Sequence, residues 1–83
     1  MITATKFKIF EKYNGDGDGF VRTGTKSEKE CLDYNDWLII DSMIQDLQLV
    51  KNGLSSKTLE NKINQKLHDE FDSEARELIQ KRL

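Results

Sequence analysis

The stretch NDWLIIDSMIQDLQLVKNGL, residues 35–54, constrains this chain more than any other. Ile40, Met43, Ile44, Leu47 and Val50 recur at the three- and four-residue spacing that aligns side chains on one face of an α-helix. Asn35 or Asp36 offers a cap at its start, and Gly53 followed by Leu54 offers a left-handed stop with its hydrophobic contact. Trp37 and Ile39 widen the apolar stripe, while Leu38 and Leu49 lie off it. A helix that is apolar over more than half its circumference is packed on more than one side or presents a face to a partner. Trp37 reads first as a core anchor beside the cap; exposed with Leu38 it would instead make a hot spot, so Trp37, Leu38 and Leu49 are the candidate interaction surface.

A second helix is expected in SSKTLENKINQKLHDEF, capped by Ser55 or Ser56, with Leu59, Ile63, Leu67 and Phe71 on a narrow stripe. Asp72 or Ser73 caps a third, SEARELIQKRL, in which Ala75, Leu78, Ile79 and Leu83 share a face. Its Glu74 lies near the positive end of the helix dipole, and Lys81 and Arg82 near the negative end. There is no proline, so the glycines at 15, 17, 19, 24 and 53 are the only punctuation. They divide one domain, residues 1–83, into an N-terminal part (1–34) and a helical part (35–83). A chain this short buries only about 60% of the surface it exposes when unfolded, so its core must be small. The expected fold is an all-α bundle of three to four helices.

A net charge of −2 gives no general electrostatic reason to seek phosphate backbones or anionic membranes. The charges are nevertheless segregated. Glu30, Asp33, Asp36, Asp41 and Asp46 occur without a base between residues 30 and 46, whereas residues 47–68 hold four lysines and one acid, Glu60. An acidic and a basic helix joined by a short turn are expected to lie antiparallel and attract along their flanks. Residues 57–66, KTLENKINQK, lack the arginines and interleaved aromatics of a nucleic-acid face, so that role ranks third. Cys31 is the only cysteine, leaving no internal disulfide and no zinc cluster, and pointing to a reducing compartment. The longest apolar run is WLII, residues 37–40, too short for a signal or a membrane span. A cytoplasmic location without a membrane partner is expected.

In ATKFKIFEKY, residues 4–13, two periodicities compete. Phe7 with Phe10 and Ile9 with Tyr13 are helical pairs, but Phe7, Ile9 and Tyr13 also alternate as on a strand, which would make residues 6–25 a hairpin. Glu11 interrupting the strand face favours the helix. The following twelve residues, NGDGDGFVRTGT (14–25), resemble the loop of an EF-hand, the helix-loop-helix calcium module. Asn14, Asp16 and Asp18 match its first, third and fifth positions, Gly19 the sixth, Phe20 the position that ligates through its carbonyl, and Val21 the eighth. The resemblance implies a cation ligated by Asn14, Asp16, Asp18 and the Phe20 carbonyl. Two departures weaken it: Thr25 stands where a glutamate would clamp the ion, and Arg22 puts a positive charge in the shell. Glu28, three residues past the clamp position, is the carboxylate a longer loop would bring back. NGLSSKTL, between the two best helices, faintly echoes a second such loop but has no aspartate, and an ordinary helical hairpin is preferred there.

Catalysis finds little support. Cys31 and His68 are each the only residue of their kind, but the surroundings of neither suggest a nucleophile and its base, and no phosphate-loop, dinucleotide or hydrolase motif occurs. The leading expectation is a small non-enzymatic interaction or regulatory module working through a homodimer or a protein partner. A weakly calcium-binding, calcium-responsive protein is the alternative, and no other cofactor is implied.

Overall fold

In a computed structural model describing Met1–Leu83, the chain folds into six helices: α1 (Ala4–Lys12), α2 (Gly17–Thr23), α3 (Lys26–Cys31), α4 (Tyr34–Lys51), α5 (Lys57–Glu70) and α6 (Ser73–Arg82). Helices account for 77% of the residues and there are no strands, so the fold is all-α. The helix preferred for residues 6–13 is α1, and the three long helices expected are α4, α5 and α6. The count of three to four falls short by the two short helices α2 and α3. Nucleating a helix is costly, so elements this short depend on their caps. The Asp16 carboxylate accepts from the Gly19 N–H at 3.1 Å and starts α2. Thr25 and Glu28 form a reciprocal capping box that starts α3, with bonds of 3.2 and 2.8 Å.

Helix α4 begins earlier than Asn35 or Asp36. Its cap is Asp33, which accepts from the Asp36 N–H at 2.7 Å and so brings Tyr34 into the first turn. It ends as expected, with Gly53 at φ 70° and the N–H groups of Gly53 and Leu54 donating to the carbonyls of Val50 and Leu49 at 3.1 and 2.9 Å. The hydrophobic contact expected of Leu54 is not made, because Leu54 stands in solvent, 71% exposed. Ser56 caps α5 and Asp72 caps α6. Across the tight α5–α6 turn, the Arg76 guanidinium donates to the Phe71 carbonyl at 2.7 Å and to the His68 carbonyl at 3.4 Å, satisfying acceptors that the end of α5 leaves open.

Helix α4 is central: α1, α2 and α5 pack on it, and α6 closes the bundle against α1 and α5. Trp37, Ile40, Met43, Ile44 and Leu47 of α4 join Phe7, Phe10, Phe20, Leu32, Ile63, Leu67, Phe71, Ala75 and Ile79 in one apolar core, and no polar side chain is buried. The stripe expected on α5 is one turn shorter than its spacing implies, because Leu59 is exposed. Ile2 completes the core from outside any helix. Its N–H donates to the Glu70 carbonyl at 2.6 Å, its carbonyl accepts from the Asp72 N–H at 3.0 Å, and its side chain is fully buried beside the α5–α6 turn.

The charge pattern is not resolved within the fold as expected. Ion pairs join Lys6 to Asp36 (2.8 Å), Lys12 to Glu28 (2.9 Å), Arg22 to Asp18 (2.7 Å) and Arg82 to Glu11 (3.4 Å), but none joins α4 to α5. Lys57, Lys62 and Lys66 lie on the solvent side of α5, and Lys51 donates instead to the Leu83 carbonyl. Hydrogen bonding to Asp36 raises the pKa of Lys6, partly offset by desolvation. No helix is long and apolar enough to cross a membrane.

Candidate functional site

The glycine-aspartate stretch leaves α1 through a tight turn in which Asn14 (φ 53°) and Gly15 (φ 75°) both adopt left-handed conformations. From Gly17 the chain is helical, and this decides where the expected ligands go. Asp16 is occupied as the cap of α2, Asp18 pairs with Arg22 one turn on, and the Phe20 carbonyl accepts from the Gly24 N–H at 2.8 Å. A calcium loop instead aims alternate side chains at one centre to gather six to eight oxygens. Here Asn14 sits in the left-handed turn, Asp16 is the extended cap, and Asp18 and Phe20 lie inside α2, with the Asp16, Asp18 and Phe20 oxygens each engaged by a separate partner. No group of three or more His, Cys, Asp or Glu side chains is placed to hold a metal. In this arrangement the residues do not fit a calcium ion.

The glycines have a packing role here. A Cβ on Gly17 would lie 3.0 Å from Trp37 Nε1, and one on Gly24 would lie 2.6 Å from the Phe20 carbonyl oxygen. Both leave room for an aromatic cluster. Trp37 stacks on Phe20 with centroids 5.0 Å apart and 20° between planes, Phe10 tilts against it at 4.4 Å, and Tyr13 meets Phe20 edge-on at 5.5 Å.

Glu28 does return to this region, with protein groups as its partners. Its carboxylate accepts from the Thr25 N–H at 2.8 Å, the Tyr13 hydroxyl at 2.7 Å and the Lys12 ammonium at 2.9 Å. These donors, the Thr25 N–H first among them, hold its pKa down at about 2. The same contacts push the Lys12 and Tyr13 pKa values up. The result ties the end of α1 to the start of α3.

The three expected surface residues separate. Trp37 is 2% exposed and belongs to the core, whereas Leu38 and Leu49 are 48% and 40% exposed. Tyr34, 56% exposed, joins them; the expected start of α4 excluded it, although its four-residue spacing from Leu38 is visible once Asp33 is taken as the cap. The outer face of α4 therefore reads Tyr34, Leu38, Ser42, Gln45 and Leu49, with no charged residue along its middle. Asp41 and Asp46 lie half-buried at its two edges, and Asp41 accepts from the Gln45 amide at 3.1 Å. Beside Tyr34 is a pocket of about 260 Å³, lined by Phe20, Val21, Lys29, Leu32, Asp33 and Tyr34.

Cys31 is half-buried at the end of α3, and His68 is exposed in the last turn of α5. Comparison with protein families, characterised proteins and solved structures found no match to this chain.

Proposed function

We propose that this chain is a small, non-enzymatic protein-interaction module whose contact surface is the outer face of α4. One observation carries the reading: the solvent side of the central helix presents Tyr34, Leu38 and Leu49 and no charge along its middle. A solvent-facing helix side is ordinarily charged. Tyrosine and leucine beside a pocket, with serine and glutamine between, have the composition of an interface whose core is apolar and hydrogen-bonded. Glu28 ties α3 to α1, and the aromatic cluster packs α1 and α2 on the start of α4, beside the pocket end of this face.

A photo-crosslinking amino acid placed at position 38 or 45, with position 77 on α6 as control, tests the proposal in the cells that make the chain. Protein adducts from 38 and 45 and none from 77 are expected. Adducts from neither outer-face position, or equally from all three, refute it.

A further inference from the structure

We infer that Asn14 is a site of spontaneous covalent modification, at which the side-chain amide is lost as ammonia and the turn between α1 and α2 acquires an aspartyl or isoaspartyl residue. The reaction needs only water and a base to take up a proton. The deprotonated backbone nitrogen of Gly15 attacks Asn14 Cγ. The new N–Cγ bond forms, the Cγ–Nδ2 bond breaks, and Nδ2 takes up a proton and leaves as ammonia. Water then opens the resulting five-membered imide at either carbonyl. One opening restores the main chain with aspartate; the other routes the main chain through the side-chain carbon, as isoaspartate. Overall, water is consumed and ammonia released, with nothing oxidised or reduced.

The chain offers this reaction two Asn–Gly pairs, Asn14–Gly15 and Asn52–Gly53, and the fold treats them differently. Glycine obstructs the attack least, having no side chain. Both asparagines are exposed, and both glycines are left-handed, at φ 75° and 70°. At the end of α4, however, the Gly53 N–H donates to the Val50 carbonyl at 3.1 Å, inside a stop that also engages the Asn52 and Leu54 N–H groups at 3.0 and 2.9 Å. That nitrogen has to be released by local opening before it can attack. The Gly15 N–H makes no hydrogen bond within the protein, although the N–H groups of Asn14 and Asp16 on either side donate to the Glu11 and Tyr13 carbonyls, each at 2.9 Å. A cation stands beside it as well. Arg82 Nη2 lies 3.7 Å from the point a Cβ on Gly15 would occupy, whereas nothing lies within 4 Å of the same point on Gly53. A positive charge there favours the deprotonated amide, which is the attacking form. Either product puts a carboxylate just past the last turn of α1, at the negative end of its dipole, and isoaspartate also lengthens the main chain between α1 and α2. Modified chains are therefore less stable than native ones.

Incubation of the native chain at mildly alkaline pH, followed by peptide mapping with mass spectrometry, tests the inference, with Asn52 as internal control. Peptides holding residue 14 should gain the mass of an amide-to-acid change about tenfold or more faster than those holding residue 52. Ammonia should appear in step. The mass gain separates this reaction from rearrangement at Asp16 or Asp18, which leaves mass unchanged. In concentrated urea the two rates should converge, because only the fold sets them apart. Arg82→Gln should slow conversion at residue 14 and leave residue 52 alone. The aged protein should unfold at lower urea, and Asn14→Gln, whose longer side chain would need a six-membered ring, should abolish that drift. Equal rates at the two positions in the folded chain, a faster Asn52, or a residue 14 that converts only in urea overturns the inference.

Discussion

Replacing Gly17 with alanine tests whether the glycines of residues 15–24 are there for aromatic packing. Gly17 opens α2 and its φ is not left-handed. Backbone terms alone therefore favour alanine, by up to about 1 kcal/mol and less in a first turn. Against this, the new Cβ would lie 3.0 Å from Trp37 Nε1 and 3.3 Å from Cδ1. The indole cannot step aside, because Phe10 and Phe20 hold it at 4.4 and 5.0 Å. Overpacking a filled core costs about 1–3 kcal/mol. The net expectation is a loss of about 1 kcal/mol, equivalent to roughly 4–8 °C in Tm for a domain of this size. Urea unfolding followed by circular dichroism on the native chain, Gly17→Ala, Trp37→Phe and the double variant completes a cycle. The smaller phenylalanine ring should remove the alanine penalty, giving a coupling of at least about 0.5 kcal/mol. A more stable alanine variant, or a penalty that Trp37→Phe leaves untouched, would show that the contact does not explain the glycine.

Glu28 sets an acid limit on stability. Its folded pKa is depressed from 4.5 to about 2, so its contribution is fully present above the unfolded value and is lost as pH falls towards 2. The urea midpoint should drop across that window, and Glu28→Gln should flatten the drop; equal slopes in both proteins would refute the assignment. Ile2→Ala should cost about 2 kcal/mol, near the low end for a buried isoleucine because a segment outside the helices can collapse into the space. Hydrogen exchange should then speed up at Asp72, whose N–H bonds to the Ile2 carbonyl. Unchanged protection there would argue against the clasp. Millimolar calcium should leave the amide resonances of residues 14–25 in place, since Asp16 and Asp18 are already engaged, and saturable shifts abolished by Asp16→Ala with Asp18→Ala would restore the cation reading.

Periodicity locates α4, α5 and α6 because each carries its own buried stripe, and the error at the start of α4 arose because Asp33, Asn35 and Asp36 are all competent caps. The consequence reached the candidate site: a start two or three residues late hides Tyr34. Residues 14–25 were harder for a chemical reason. A short carboxylate followed by glycine suits a cation loop, a turn and a helix cap equally, since each uses aspartate oxygens to accept or ligate at close range. What separates them is Trp37 lying against Gly17, a contact between residues twenty positions apart that no local pattern encodes. Ile2 is hidden for the same reason, since nothing in its own neighbourhood points to Phe71.

The position of Ile2 also bears on how the chain is made. Its backbone partners, Glu70 and Asp72, lie roughly seventy residues further along the chain and so are synthesised later. At roughly 5–20 residues per second, that leaves the segment without its native partner for several seconds. The helices α1 to α4 can associate in that interval, but the seat of Ile2 cannot exist until the α5–α6 turn has left the ribosome. Final closure of the core therefore waits for residues 70–72, and a ribosome stalled before residue 70 should hold a nascent chain whose Ile2 segment remains open to protease.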